Sequence, residues 1–541
     1  MTLPSSVCSL VAALAVVVLA LQAHRRDRDT DTFVLGCDTF GYERMARVVR
    51  DARAAGTRPD FSIHDAQTRW LVDQFKAHGQ PVPTWDESVT THAHHYFPGS
   101  DQVGPQYPPG TARVLSIFPE GNDVKALDRW TIGLVAAGGL ALAAWCAWRG
   151  LAASGLVLAG SVATLLAPFG WIRAGSYSIN ATILPLFAGT LLAWAAARVR
   201  GRRAAVALAL GAGALFGLLI QVRLASALLA PAAALLFVPR RWRLGFPFGA
   251  GVLLAGVGPV LLHNRAVTGS LLGATYNGGD RTQALDCVSD NLRFYFGRYA
   301  HESGWLHVLG LVVVVGLWLA LAAVLRPRGA RPAWGGWLAG HWGLAAAPVV
   351  AAGLSVAYFL THAVTISYYL TPAGLLTGLL LGLGFVALEE HWRRATGDFV
   401  AAGRLPAGLA LAAVAVAIPV AALNHRALGH LARAALERRD DPPHVLAAPP
   451  ALLEPGAWVW ADLYSSSILF YTGHPAFKIS FATPETRRLM YGWIKAKGDP
   501  QYLVDDSAQT RPLVAEARAA GWRLVPVGEV RDATCYRMDP P

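Results

Sequence analysis

The sequence predicts a polytopic α-helical membrane protein of about eleven transmembrane helices, with a large first extracytoplasmic loop and a C-terminal extracytoplasmic α/β domain. Three observations predict it. Of 541 residues, 54% are hydrophobic and only 15% charged, too little charge to cover a soluble protein of this size. The apolar residues gather into runs near the length of a bilayer span, rich in Ala, Leu, Val and Gly as closely packed membrane helices are. The basic residues gather too, in alternate short connections between those runs.

In chain order, the runs place helices at roughly 5–23, 131–149, 152–170, 176–197, 204–221, 224–238, 245–262, 305–325, 337–359, 366–388 and 405–423. The first lacks a basic leader and a small-x-small cleavage site, so an anchor is expected rather than a cleaved signal peptide. Arg198, Arg200, Arg202 and Arg203 form one basic cluster, and Arg240, Arg241 and Arg243 the next. Arg326, Arg328 and Arg331 follow, then Arg393 and Arg394. The intervening turns carry only Arg173, Arg223 and, at 361–365, no charge. Basic residues mark cytoplasmic connections, which orients the chain in a bacterial cytoplasmic (inner) membrane with the long loops outside. His24-Arg25-Arg26 points the other way but opens a loop too long for that rule to govern.

The chain therefore divides into 1–423, a transmembrane domain that includes the outer loop 24–130, and 424–541, a linker with a small α/β domain. A shorter outer segment covers 263–304. In the first loop, Tyr42, Met45, Ala46, Val49 and Ala52 share one face of an amphipathic helix that begins near Asp38 and stops at Gly56, fit to lie along a membrane surface. A second helix runs from about Ala66 to Ala77, capped by Asp65 and ended by Gly79, and irregular chain follows. After a Pro-rich linker from Pro442 to Pro455, strands at Ala457–Ala461, Tyr502–Val504 and Arg523–Val527 alternate with helices near 484–497 and 509–520.

Composition also excludes classes. The net charge of +12 sits in short loops and forms no basic stripe interleaved with aromatics, so no nucleic-acid partner is expected. Cys8 and Cys146 fall in spans, whereas Cys37, Cys287 and Cys535 fall in outer segments where a disulfide is chemically allowed, with no pair singled out. Within the helices between Trp130 and Leu388 there is no Asp or Glu, the groups that ion-coupled transporters keep at mid-membrane. Polar chemistry is expected at the outer surface.

The candidate residues lie there. Asp38, in Gly36-Cys37-Asp38-Thr39-Phe40-Gly41-Tyr42, is a helix cap or a catalytic carboxylate. Arg173, Arg223 and Arg265 mark the outer ends of apolar helices, where a planar guanidinium either snorkels to headgroups or binds a phosphate. Thr91-His92-Ala93-His94-His95-Tyr96, followed by Asp101, is the weak metal candidate: His92, His94 and Asp101 hold a divalent ion, or the imidazoles bond to backbone or acceptor. Trp171, Tyr177, Tyr276, Tyr368 and Tyr369 stack on a sugar or line a carrier's cleft, or else anchor the interface.

The ordered set of these features resembles the GT-C superfamily of membrane glycosyltransferases, which includes protein O-mannosyltransferases and the lipid A aminoarabinose transferase. The resemblance rests on Asp38 in the first loop and on Tyr107-Pro108-Pro109-Gly110-Thr111 closing it. It rests also on Arg223 between two helices, Asn264, Gly269 and Tyr276 in a turn, and Tyr368-Tyr369-Leu370-Thr371-Pro372 at a helix start. It covers most of residues 1–390. The resemblance implies an inverting transfer of a hexosyl or pentosyl group from a polyprenyl-phosphate donor to a glycan, glycolipid or protein acceptor at the outer face. Asp38 would be the general base, and Arg223, with Arg265 and Arg173 behind it, would bind the donor phosphate. Tyr42, Glu43, His94, His95, Tyr107, Asn264, Tyr276, Tyr368 and Tyr369 would contact substrate. No cofactor is required by the resemblance. The chain departs from the mannosyltransferases in one respect: Thr39 follows Asp38 where they carry a second acid, which weakens the case for a protein acceptor. A flippase or transporter for a polyprenyl-linked glycan is the competing class, and a non-catalytic surface scaffold the third.

Overall fold

The computed structural model describes residues 5–29, 36–121, 123–166, 168–169, 177–276, 283–298, 305, 308–313, 315–316, 334–366, 368–396, 452–462, 464–530 and 533–540. The chain opens with α1 (Ser5–Asp29). An extramembrane stretch follows: α2 (Gly36–Ala55), α3 (Ala66–Ala77), a hairpin of β1 (His94–Phe97) and β2 (Gln102–Pro105), and α4 (Gly110–Leu115). The bundle then continues through α5 (Asp123–Trp148), α6 (Ala152–Leu166), α7 (Tyr177–Arg198) and α8 (Arg202–Val222). Among the described residues it goes on through α9 (Leu224–Phe237), α10 (Trp242–Thr268), α11 (Trp334–Leu360) and α12 (Thr371–Thr396). The C-terminal part holds β3 (Trp458–Ala461), α13 (Ser465–Thr472), β4 (Ala476–Lys478), α14 (Pro484–Lys497), β5 (Gln501–Asp505), α15 (Arg511–Ala519), β6 (Arg523–Val530) and β7 (Ala533–Asp539).

Among the described residues, six helices are long and apolar enough to cross a membrane, and three shorter apolar helices lie at Leu10–Arg25, Ala153–Leu166 and Leu224–Phe237. Of the expected helices, that at 405–423 lies outside the described residues, and that at 305–325 is helical wherever it is described, at 305, 308–313 and 315–316. α12 is central: 89% of its apolar window is buried, against 33% for α10. α1 belongs to the bundle, with Ala12, Val16 and Ala23 buried in its core against α5 and α6. Small residues set the closest approach, between α8 and α10. A Cβ on Gly213 would lie 2.0 Å from the Phe248 carbonyl oxygen, and one on Gly217 2.7 Å from the Gly256 nitrogen, so only glycine permits this backbone contact.

The two extramembrane stretches share one hydrophobic core. Leu71 and Phe75 of α3, with Trp85 and Val103, pack against Trp458, Trp460, Phe477 and Met490. Phe75 stacks flat on Trp85, their centroids 5.0 Å apart. The C-terminal strands form a five-stranded sheet in the order β4-β3-β5-β7-β6, parallel from β4 to β5 and antiparallel through β7 and β6. α3 and α14 have the caps their sequences announce. Asp65 accepts from the Thr68 amide at 2.7 Å, and the Thr483 hydroxyl accepts from Thr486.

Three expectations change. The chain after α3 is not irregular, because 94–105 forms a hairpin; all four β1 residues are buried, so no alternation betrayed the strand. α2 does not present its apolar face to a lipid surface. It packs on α4 and α13, burying Phe40, Tyr42 and Met45. α5 begins at Asp123 rather than 131, two turns ahead of its apolar run, and these turns carry the buried Asp123 and Asp128.

Candidate functional site: an arginine among tyrosines

Arg223 stands where α8 stops. Its own backbone is extended (φ −147°, ψ 118°), although its N–H still closes the last helical turn onto the Leu219 carbonyl at 2.8 Å. The break turns the half-buried side chain off the helix axis. Its Nη1 donates to the Ser178 hydroxyl on α7 at 3.3 Å. Its Cζ lies 5.0 Å from the ring centre of Tyr369 and 5.7 Å from that of Tyr368. Tyr42 and Tyr276 lie within electrostatic reach of the same guanidinium. Tyr107 joins them, tilted on Tyr42 at 4.8 Å and edge-on to Tyr276 at 6.1 Å. Residues that lie more than three hundred positions apart thus meet around one cation.

The Tyr107–Thr111 element explains itself in this setting. A Cβ on Gly110 would lie 2.3 Å from the Gln221 carbonyl carbon, so α4 rests directly on the end of α8. The Thr111 hydroxyl reaches the Val222 carbonyl at 3.5 Å. Arg113 donates to the Gln221 side-chain oxygen at 2.6 Å, and the Gln221 amide donates at 2.5 Å to the Ala255 carbonyl. That carbonyl belongs to the π-helical turn Leu253–Val257, where the ordinary helical pairing is displaced. First loop, α8 and α10 are therefore tied together within two residues of Arg223. Tyr276 is held in turn by its neighbour Thr275, whose hydroxyl donates to the Gln106 carbonyl at 3.0 Å and whose carbonyl accepts from His95 Nε2 at 2.6 Å. The Asn264–Gly269 turn is a left-handed helix end with Gly269 at φ 80°; a Cβ there would lie 2.5 Å from the Gly99 carbonyl oxygen.

The other predicted residues divide. Asp38 is the third residue of α2, one turn before Tyr42. Its side chain and those of Cys37 and Tyr177 lie outside the described residues, as do Trp171 and Arg173 altogether. Arg265 is exposed on the last turn of α10, and the structure does not bring it to the tyrosines. The Asn264 carbonyl accepts from the Thr268 hydroxyl within its own helix. His94 is fully buried beside Phe40 and within 3.4 Å of Arg44 Nη1; burial and that guanidinium hold its imidazole well below the usual value, so it is neutral. Glu43 turns from the tyrosines toward Asp123. Burial, reinforced by the Asp123 carboxylate that Arg50 pairs with, pushes its carboxyl up to about 8.

The metal candidates are taken up in three separate places. His92 pairs with Asp462 at 3.0 Å, His94 with Arg44, and Asp101 with Lys76, Arg69 and the Tyr96 hydroxyl. Among the described residues no cluster of three metal-type ligands forms. Cys287 and Cys535 are free thiols. The sequence carries no cue for Ser178 or Arg113. Gln221, the one amide in an apolar run beside Arg223, was the available signal.

No protein-family profile matches the chain, and no curated protein matches it in sequence. Solved structures of similar fold are found nevertheless. The likeness is to ArnT, the lipid A aminoarabinose transferase, from Cupriavidus metallidurans in the apo state: TM-score 0.50 and 14% identity, over 97% of each chain. The same protein bound to undecaprenyl phosphate gives 0.49 and 14%, over 98% of this chain and 97% of that one. At this identity the likeness is one of fold.

Proposed function

We propose that the chain is an inverting glycosyltransferase of the inner membrane that takes a sugar from a polyprenyl-phosphate donor at the extracytoplasmic face. One observation carries the reading. Arg223 is a half-buried cation that meets the Tyr368 and Tyr369 rings and the Ser178 hydroxyl, and among the described residues it has no carboxylate within ion-pair distance. A guanidinium withdrawn from water and left without an anion is costly, and a phosphate supplies both the charge and the acceptors for its planar donors. The tyrosine hydroxyls add neutral donors for the remaining phosphate oxygens, and the rings offer faces to a sugar or an isoprenoid chain.

In the proposed reaction, Asp38 takes the proton of an acceptor hydroxyl as its oxygen bonds to the anomeric carbon. The bond from that carbon to the phosphate oxygen breaks, and the phosphate leaves with the electron pair. Arg223 stabilises the charge that develops on it. Arg223 lies between two apolar helices, beyond the reach of the arginine-rich connections, which supports an outer-face location. The sheet domain packed on the first loop would then cover the acceptor side. The further spans that bring the count to eleven belong to the same proposal.

The test is to incubate the purified protein with radiolabelled polyprenyl-phosphate mannose, glucose and arabinose, offering membrane lipids or surface glycans as acceptors. Transfer from any donor is the expected result. Blanks across the whole panel would move the assignment to a carrier-lipid flippase.

A further inference from the structure

We infer that a cavity at the opposite end of the bundle seats the phosphate headgroup of an anionic lipid. The cavity, of about 340 Å³, opens between the ends of α7, α9, α11 and α12. Arg223 touches Ser178 at the start of α7, while Arg198 at its end lines this cavity. The 22-residue helix separates the two by about 30 Å, one hydrocarbon thickness. The inference therefore does not depend on the sugar-transfer reading.

Four guanidiniums line the cavity, those of Arg198, Arg240, Arg241 and Arg394, against one carboxylate, Glu390. That carboxylate is already shared, with Arg198 at 2.9 Å and Arg149 at 3.4 Å. Arg241 is spent on the backbone carbonyls of Ala196 and Val199. Arg240 and Arg394 remain, both exposed; Arg394 gives only its Nε to the Glu390 carbonyl, at 3.1 Å, and among the described residues neither has a carboxylate within ion-pair distance. Arg240 lies flat against α11, where a Cβ on Gly340 would meet its Nη2 at 2.6 Å. The helix departs from helical geometry at the next residue, His341 (φ −142°, ψ 22°). The Trp194 indole N–H is buried on the cavity wall with no partner among the described residues, and so offers a further donor.

The rest of the wall decides between lipid and soluble phosphate. Leu236, Phe237, Leu344 and Ala387 give it an apolar side, which suits an amphiphile entering from the bilayer, and basic pockets between helix ends are a recurrent seat for acidic headgroups.

The experiment compares full-length protein released from nanodiscs of phosphatidylglycerol and phosphatidylcholine, with retained lipid counted by native mass spectrometry. Arg240→Ala/Arg394→Ala is expected to lose phosphatidylglycerol retention by roughly tenfold or more. The control pair Arg202→Ala/Arg243→Ala removes the same charge from exposed positions at the same end, outside the cavity, and is expected to stay within about twofold of wild type. Equal losses in both pairs, no loss in either, or complete displacement of the lipid by millimolar inorganic phosphate would each overturn the inference.

Discussion

The two ends of α7 hold arginines in opposite circumstances. At its start, Ser178 meets Arg223, whose surroundings are hydroxyls and aromatic faces. At its end, Arg198 lies on the Trp194 ring at 4.3 Å and is paired with Glu390. Arg198 sits in the connections that orient the chain, and a neighbouring helix supplies its counter-charge. Arg223 sits where orientation asks for no charge. The difference teaches that a cation in a membrane protein is informative in proportion to what the protein fails to provide for it. A guanidinium already paired has a structural explanation, whereas one that meets only neutral groups among the described residues is where the proposed phosphate would bind.

The comparison can be sharpened by substitution, beginning with the largest effect. Asp38→Asn should lower sugar transfer by about a thousandfold with normal membrane insertion, since a positioned base contributes on that order; retained turnover removes Asp38 from the mechanism. Arg223→Ala should cost about a hundredfold or more in kcat, measured on the same donor. Arg198→Ala should spare most activity and show instead in thermal unfolding; if it matched Arg223→Ala in activity, the contrast between the two ends would collapse.

Glu43 gives a prediction in pH. Its folded-state value of about 8 lies above the ordinary carboxylate value, so folded protein holds that proton more tightly than unfolded protein does. Through this group, stability should fall as pH rises from the ordinary carboxylate range to about 8. Glu43→Gln should remove that decline and stabilise the protein at pH 8.5 by about 2–3 kcal/mol, read as a higher Tm in detergent, with little difference near pH 4. The smallest effect belongs to Arg265→Ala, which is exposed and should change transfer by less than about threefold.

Much of this was legible in the sequence, and the parts that were not have physical reasons. α3 and its Asp65 cap, the Gly56 and Gly79 stops, and the strands near 457, 502 and 523 follow from local chemistry, which a sequence states openly. Each tyrosine around Arg223 is a candidate in the sequence, but their convergence is a long-range fact that no spacing encodes. The hairpin at 94–105 was hidden because its residues are buried on both sides. His92 and His94 have the spacing of metal ligands, yet among the described residues they are engaged apart: the first pairs with Asp462 and the second is neutral beside Arg44. The shared core of Phe75, Trp85 and Trp458 joins stretches nearly four hundred residues apart, and it makes the first loop and the C-terminal sheet one packed body. Nothing within either stretch declares its partner.

The most direct measurement asks whether the tyrosine-ringed guanidinium holds a phosphate on a lipid. Wild-type protein and Arg223→Ala would be titrated with undecaprenyl phosphate in detergent and the bound fraction read by native mass spectrometry, with undecaprenol as the uncharged comparison. Wild type should bind the phosphate form, and the variant should lose at least about tenfold of that affinity while treating undecaprenol as wild type does. Equal binding of undecaprenyl phosphate by both proteins would contradict the assignment of Arg223.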